Sequence, residues 1–316
     1  MPKAVRFSRY GGPEVLEIAE VDRPHARPGR VLVEVVAAAL NPGEIGIREG
    51  VFAAVWPAHF PEGQGNDFAG HVAEVGAGVT GFSVGQRVLG FAPRAAQAEF
   101  VLVGLDRLAP MPAGLGWAEA ASIAGAGATA WAGVAAVAPR PGETVVVSAA
   151  AGGVGVLAAQ LAKLRGATVI GTASEANFAF LRGFGIQPVA YGPGLADRLR
   201  AAAPAGVDAY IDTFGDGNVD VAIKLGVRPT RINTIADGVA VQRYGVRHEA
   251  QEQADEPAIW ARIAELAAAG DLTIPIARTY PIDHVREAYQ DLATRHVSGK
   301  RVLAVKPFAG TERTAR

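Results

Sequence analysis

The stretch "AAAGGVG", residues 149–155, joins an apolar run, "TVVVS", to an alanine-rich segment, "VLAAQLAKLRG". Backbone N–H groups at the start of a helix, where glycines let the chain come close, form a cradle for phosphate. A dinucleotide fingerprint places small residues there for a tight turn, for approach to the pyrophosphate and for helix-on-strand packing. Gly152 and Gly155 hold the second and third of those positions, and Ala150 stands at the first. With Gly153 and Val154 between them, these five residues are the candidate nucleotide contacts. The bland alternative is a glycine-rich turn with no ligand. The order strand, loop, helix, second strand favours the nucleotide.

About twenty residues further on, an acidic side chain would bind the ribose hydroxyls of NAD. The strand "ATVIG" is followed instead by "TASE". Thr172 occupies the expected strand end, and Thr172 and Ser174 can donate hydrogen bonds to a 2′-phosphate that an aspartate would repel. This favours NADP. Against it, Glu175 falls near the same window and no Lys or Arg precedes Arg182. Ser174 also suits the N-cap of a helix starting at Glu175.

The elements that must position these residues read as βα alternation. Strands are expected at 144–148, 167–171, 188–191, 207–212 and 230–236, with helices at 154–165, 175–184, 194–202 and 217–226. That spacing implies parallel strands with crossover helices, a doubly wound α/β sheet. A helix at 258–270 closes the region. The first hundred residues read instead as short strands between turns. The tail, with "TIPIARTYP", a helix over "IDHVREAYQDLA" and the strand "KRVLAVKP", has no place in the alternation and most simply rejoins them.

Composition bounds the function classes. Half of the 316 residues are hydrophobic and 19% are charged, which suits a globular chain of about two domains. The 30 basic and 31 acidic side chains nearly cancel, so nothing in the net charge argues for nucleic acid or an anionic membrane. There is no cysteine, which excludes disulfides, thiolate nucleophiles and cysteine-ligated zinc and fits a cytoplasmic setting. The start, "MPKAVRFSRYGG", has no signal-peptide core. Uncharged runs at 120–139 and 144–162 approach the length of a membrane span, but their Ala, Gly, Val and Thr read as buried structure.

"GNDFAGHVAEVGAGVTGFSVGQRVLGF" (65–91), "DRLAPMPAGLGWAEAASIAGAGATAW" and "RPGETVVVSAAAGGVG" closely resemble the zinc-independent quinone oxidoreductase branch of the medium-chain dehydrogenase/reductases. The resemblance runs to "SGKRVLAV" near the end. It implies a GroES-like, mainly-β substrate domain from residues 1–121 and 271–316, with a Rossmann domain, 122–270, inserted between its halves and a cleft between the two domains. It also implies a homodimer, and NADPH as reductant for a quinone or for the activated double bond of an enone or enal. Where zinc-dependent relatives carry Cys, His and Cys ligands, Asn41, Asn66 and Gly125 stand here, and no histidine pair shows ligand spacing. No metal is expected.

By the same resemblance Asn41, in "LNPGE", is a catalytic and cofactor-binding candidate whose carboxamide orients the substrate carbonyl or the nicotinamide. It would otherwise be a turn former before Pro42. Thr129, in "GATAW", falls beside the nicotinamide ribose as the second such candidate, or is a helix threonine bonded back to the preceding turn. Tyr191, in "PVAYGPG", falls near the adenosine phosphate, or is an ordinary strand-end aromatic. Asp67, which matches an acidic position of the family motif, reads as fixing its loop through backbone N–H groups or as an active-site group, and His59 as an exposed loop residue or as one that lines the cleft. Many of these enzymes carry a tyrosine where Gly46 stands in "EIGIREG". Its absence removes a phenol that would anchor or protonate substrate and implies a wider pocket there. Gly46 also lends support to a second reading, an NADPH-binding sensor or accessory protein with little turnover.

Overall fold

The computed structural model describes residues 1–294 and 298–308. The chain divides into two compact units. One comprises Met1–Gly125, Glu256–Asp271 and the described residues from Pro275 onward, and the other comprises Ala126–Asp255 with Leu272–Ile274. Of the segment expected at 271–316, residues 295–297 and 309–316 lie outside the described residues.

The second unit is the doubly wound sheet. Its parallel strands, in chain order Thr144–Val147, Thr168–Ala173, Gln187–Ala190, Ala209–Asp212 and Ile232–Thr234, stand side by side in the order 3-2-1-4-5. Val145–Val147 are fully buried, as a central strand covered on both faces requires. Between strands run the helices Gly155–Leu164, Phe178–Gly183, Leu195–Ala202 and Asn218–Lys224. The element expected at 175–184 opens as a 3-10 turn, Glu175–Asn177, before it becomes α-helical. Val146, Ile170, Tyr210 and Ile232 form the core with Leu199 and Val219 from the helices. The uncharged run at 144–162 is strand, turn and helix, and among the described residues no helix is long and apolar enough to cross a membrane.

The first unit takes strands from both ends of the chain. Its larger sheet runs in the order Ile276–Pro281, Lys300–Ala304, Arg30–Ala39, Asp67–Val75, Arg87–Phe91 and Leu108–Pro110, and Phe100–Gly104 also pairs with Arg30–Ala39. Val302 lies opposite Ala39, so the tail rejoins the first residues as expected. Two register shifts between Arg30–Ala39 and Asp67–Val75 distort the pairing. Phe7, Val35, Phe68, Tyr289 and Leu303 share the core.

The units do not divide at 121/122 and 270/271. The helix Pro257–Ala269 groups with the first unit, because it packs on Leu108–Pro110. Leu272–Ile274 goes with the second because Gln160 makes two bonds of 2.9 Å to the backbone of Thr273.

Packing also explains Ala150 at the first loop position. A Cβ on Gly171 would lie 2.6 Å from the Ala150 Cβ and 2.9 Å from Ile186 Cγ2. The missing methyl at 171 makes room for the one at 150. Gly171→Ala should therefore destabilise the protein by about 1–3 kcal/mol, and Ala150→Gly should recover part of that loss in the double variant. Strictly additive effects in urea unfolding would show that the two sites do not share this space.

Candidate active site

The glycine loop leaves the first strand at its C-terminal end. Ala149 takes a left-handed conformation, φ 44°, and its carbonyl accepts the Gly152 N–H at 2.9 Å. A Cβ on Gly155 would lie 2.3 Å from that carbonyl oxygen, so glycine alone lets the helix start this close to the turn. The Ala150 N–H bonds the Thr172 carbonyl at 2.9 Å, and the Ala149 N–H bonds Thr172 Oγ1 at 3.3 Å. Thr172 is buried within its strand, which continues to Ala173, so the expected strand end is one residue early. Its hydroxyl braces the loop. Ser174, half-buried just past the strand, accepts a bond from Asn177 Nδ2 at 3.2 Å and keeps its own O–H to donate. Tyr191 is exposed beyond the third strand, and Thr129 is half-buried in the first turn of Ala128–Val137.

Asp212, fully buried at the end of the fourth strand, was not singled out from the sequence. It accepts bonds from Ser148 Oγ at 2.6 Å, Thr234 Oγ1 at 2.7 Å and the N–H groups of Phe214 and Gly215 at 3.0 Å. One carboxylate thus ties the C-terminal ends of strands 1, 4 and 5 together. Strands 1 and 4 flank the point where the strand order reverses, which is where open α/β sheets bind ligands.

In the first unit, Asn41 precedes the short helix Pro42–Arg48. Its Nδ2 donates to Asp67 Oδ2 at 2.9 Å and to Glu44 Oε1 at 3.3 Å, and its Oδ1 accepts from Lys300 Nζ at 2.6 Å. Lys300 also donates to the Leu40 carbonyl at 2.8 Å. Glu44 accepts the Asn41 N–H at 3.1 Å and the Tyr289 hydroxyl at 2.6 Å, and Tyr289 accepts from Gln97 at 2.7 Å. Glu44, Asp67, Tyr289 and Lys300 are buried, while Asn41 is half-buried. Both amide hydrogens of Asn41 are committed to Asp67 and Glu44, which leaves no free N–H on this carboxamide for a ligand.

Two buried carboxyl groups face one ammonium. Burial pushes the Asp67 carboxyl up to about 7, against the pull of Lys300 and with a further push from Glu44. Burial raises Glu44 and Tyr289 and lowers Lys300. Asp67 bonds one backbone N–H, that of Gly125, but sits in the strand Asp67–Val75 rather than in a loop. A Cβ on Gly125 would lie 2.3 Å from Asp67 Oδ2, so the acid occupies the space of a side chain at 125. Asn66 takes no part here, since its Oδ1 accepts the Arg94 N–H at 2.9 Å. Among the described residues no three His, Cys, Asp or Glu side chains gather into a metal site.

The wider pocket expected at Gly46 is not found. The Phe52 ring lies over it, and a Cβ there would come within 2.8 Å of that ring. Phe52 and Trp56 are exposed with ring centroids 6.2 Å apart, and His59 is exposed near them in sequence.

The alcohol dehydrogenase GroES-like domain matches residues 27–175, and the zinc-binding dehydrogenase family matches 184–303. The quinone oxidoreductase of Coxiella burnetii superposes with a TM-score of 0.88 at 31% identity, over 96% of this chain and 99% of that one. The chain belongs to the quinone oxidoreductase branch of the medium-chain dehydrogenase/reductases. The Escherichia coli quinone oxidoreductase solved with NADPH superposes with a TM-score of 0.86 at 25% identity, over 96% and 99% of the two chains. The phthioceranic/hydroxyphthioceranic acid synthase of Mycobacterium tuberculosis is 30% identical over 93% of this chain, which spans only 15% of that protein's length. As a member of this branch the chain is an oxidoreductase of a family built on nicotinamide dinucleotides.

Sequence reading missed Glu44, Lys300 and Tyr289 as well as Asp212. Glu44 had a signal, the Asn-x-x-Glu spacing of a helix start. Lys300 had none, since Arg301 follows it in the strand Lys300–Ala304 and nothing local sets the two cations apart.

The Asp67 shift has a signed consequence. The folded state keeps a proton on Asp67 up to about pH 7, which an unfolded chain releases near its ordinary value of 3.8. Stability from this group is therefore full below about pH 4 and is lost as pH rises towards 7, at up to about 1.4 kcal/mol per pH unit. Asp67→Asn should flatten the fall in Tm between those limits. A Tm–pH curve parallel to that of the wild type would remove Asp67 as its source.

Proposed function

We propose that the chain is an NADPH-dependent, metal-independent oxidoreductase that reduces a quinone or the activated double bond of an enone or enal. The observation that carries this reading is the closed cluster of Asn41, Asp67, Glu44 and Lys300, in which Asn41 holds one of the positions where the resemblance puts a zinc ligand in metal-dependent relatives. A dication finds neither thiolate nor imidazole there, and it would face the Lys300 ammonium instead. The site does not fit a zinc ion.

In the second unit, the N–H groups around Gly152, Gly153, Val154 and Gly155 hold the pyrophosphate against the helix start, and Ala150 and Thr172 fix the turn. Ser174 donates to a 2′-phosphate, Tyr191 covers the adenosine side, and Thr129 donates to the nicotinamide ribose. A bound nicotinamide supplies the hydride. The E. coli relative solved with NADPH supports the choice of cofactor. In the first unit, the exposed rings of Phe52 and Trp56 offer an apolar face that suits a planar conjugated substrate. Asn41 orients a ligand group from beside this segment, and the proton that completes reduction comes from water. A homodimer belongs to the same reading.

NADPH oxidation, with NADH in parallel, against 9,10-phenanthrenequinone, 2-cyclohexenone and a 2-alkenal tests the reaction. Turnover with one acceptor class and preference for NADPH are expected. Binding of NADPH without turnover of any acceptor would favour a sensor or accessory role. Ser174→Asp should move the NADPH/NADH preference towards NADH by about tenfold or more, because a carboxylate repels the phosphate. An unchanged ratio would take Ser174 out of the site.

A further inference from the structure

We propose that Lys300 is a positioning residue of this oxidoreductase, holding Asn41 so that it presents an acceptor, and no donor, to a bound ligand. The inference rests on the reading of Asn41 as a site residue. A carboxamide has two N–H donors and an oxygen with two lone pairs. Here one hydrogen goes to Asp67 and the other to Glu44, and the oxygen takes one hydrogen from Lys300. What remains for a ligand is the oxygen's second lone pair.

The orientation of this amide is dictated by its neighbours. Turned over, its NH₂ group would face an ammonium and its oxygen would face two carboxyl groups. Asn41 is the half-buried member, while Lys300, Asp67 and Glu44 are buried. Charges that do not reach the ligand therefore set the polarity of the residue that does. Lys300 is held in place by its own N–H bond to the Pro275 carbonyl at 2.8 Å, and the next residue's carbonyl accepts the Leu40 N–H at 3.0 Å. The group recognised is a hydrogen-bond donor such as an amide N–H or a hydroxyl, and a substrate carbonyl oxygen is excluded.

Lys300→Met and Lys300→Arg in the full chain test this, with folding checked by Tm. One readout is the side-chain amide pair of Asn41 in a proton–nitrogen NMR spectrum, assigned by its loss in Asn41→Ala. The other is steady-state reduction of 9,10-phenanthrenequinone by NADPH. In Lys300→Met the amide pair should shift and kcat should fall about tenfold or more, with KM for NADPH changed less than about threefold. Lys300→Arg should keep the amide pair near its wild-type position and recover most of the turnover. An unmoved Asn41 amide pair in folded Lys300→Met overturns the proposal. So does an equal loss of kcat in the two folded variants. If the wild type reduces no acceptor, the proposed reaction has failed, and the amide pair alone decides the role of Lys300. If Lys300→Arg does not fold, the amide pair in Lys300→Met decides in the same way.

Discussion

Two carboxyl groups and one ammonium are buried together around Asn41, and the first unit is organised to make that tolerable. Taking each ion out of water costs several kcal/mol, and mutual attraction offsets the cost only when the geometry is good and the remaining valences are filled. They are filled from far along the chain. Lys300 reaches back 259 residues to Asn41, and Tyr289 reaches back 245 to Glu44. The final strand must therefore pair with Arg30–Ala39 before the charges are neutralised. A mainly-β unit built from both chain ends is the fold that meets this condition.

Asp212 is the counterpart in the parallel unit, and it works without a cation. Backbone and hydroxyl hydrogens satisfy it, all of them from the C-terminal ends of strands 1, 4 and 5. Each of these hydrogens fills an acceptor site that burial would otherwise leave empty. The consequence is mechanical. The loops leaving three strands are pinned to one group at the place where the strand order reverses. The glycine loop begins one residue past Ser148, so its start inherits that rigidity.

What was legible in the sequence followed local rules. The run "TVVVS", the glycines at 152 and 155 and the alternation after them depend on strand burial, turn sterics and helix periodicity, all written within a few residues. The parallel sheet could be read from them. Thr172 lies one residue inside the strand end, because the strand runs on to Ala173, and its hydroxyl accepts the Ala149 N–H, a contact that no local pattern announces. Gly46 was read as space. The chain filled that space from Phe52, six residues on, by a loop path that no periodicity describes. Lys300 and Tyr289 were illegible because their meaning is a tertiary pairing. Nothing near residue 300 announces an amide at residue 41.

The same geometry couples position 125 to the cluster. A side chain at 125 would meet Asp67 at 2.3 Å, so a ligand introduced there must first displace the acid. Displacing Asp67 takes one of Asn41's two acceptors and leaves Lys300 with Glu44 as its only nearby carboxyl group. Removing the ammonium would free the Asn41 oxygen and take from Glu44 and Asp67 the cation that lowers them both. Residues 41, 67, 125 and 300 are thus coupled by contact and by hydrogen bonding, and a substitution at one of them falls on the others.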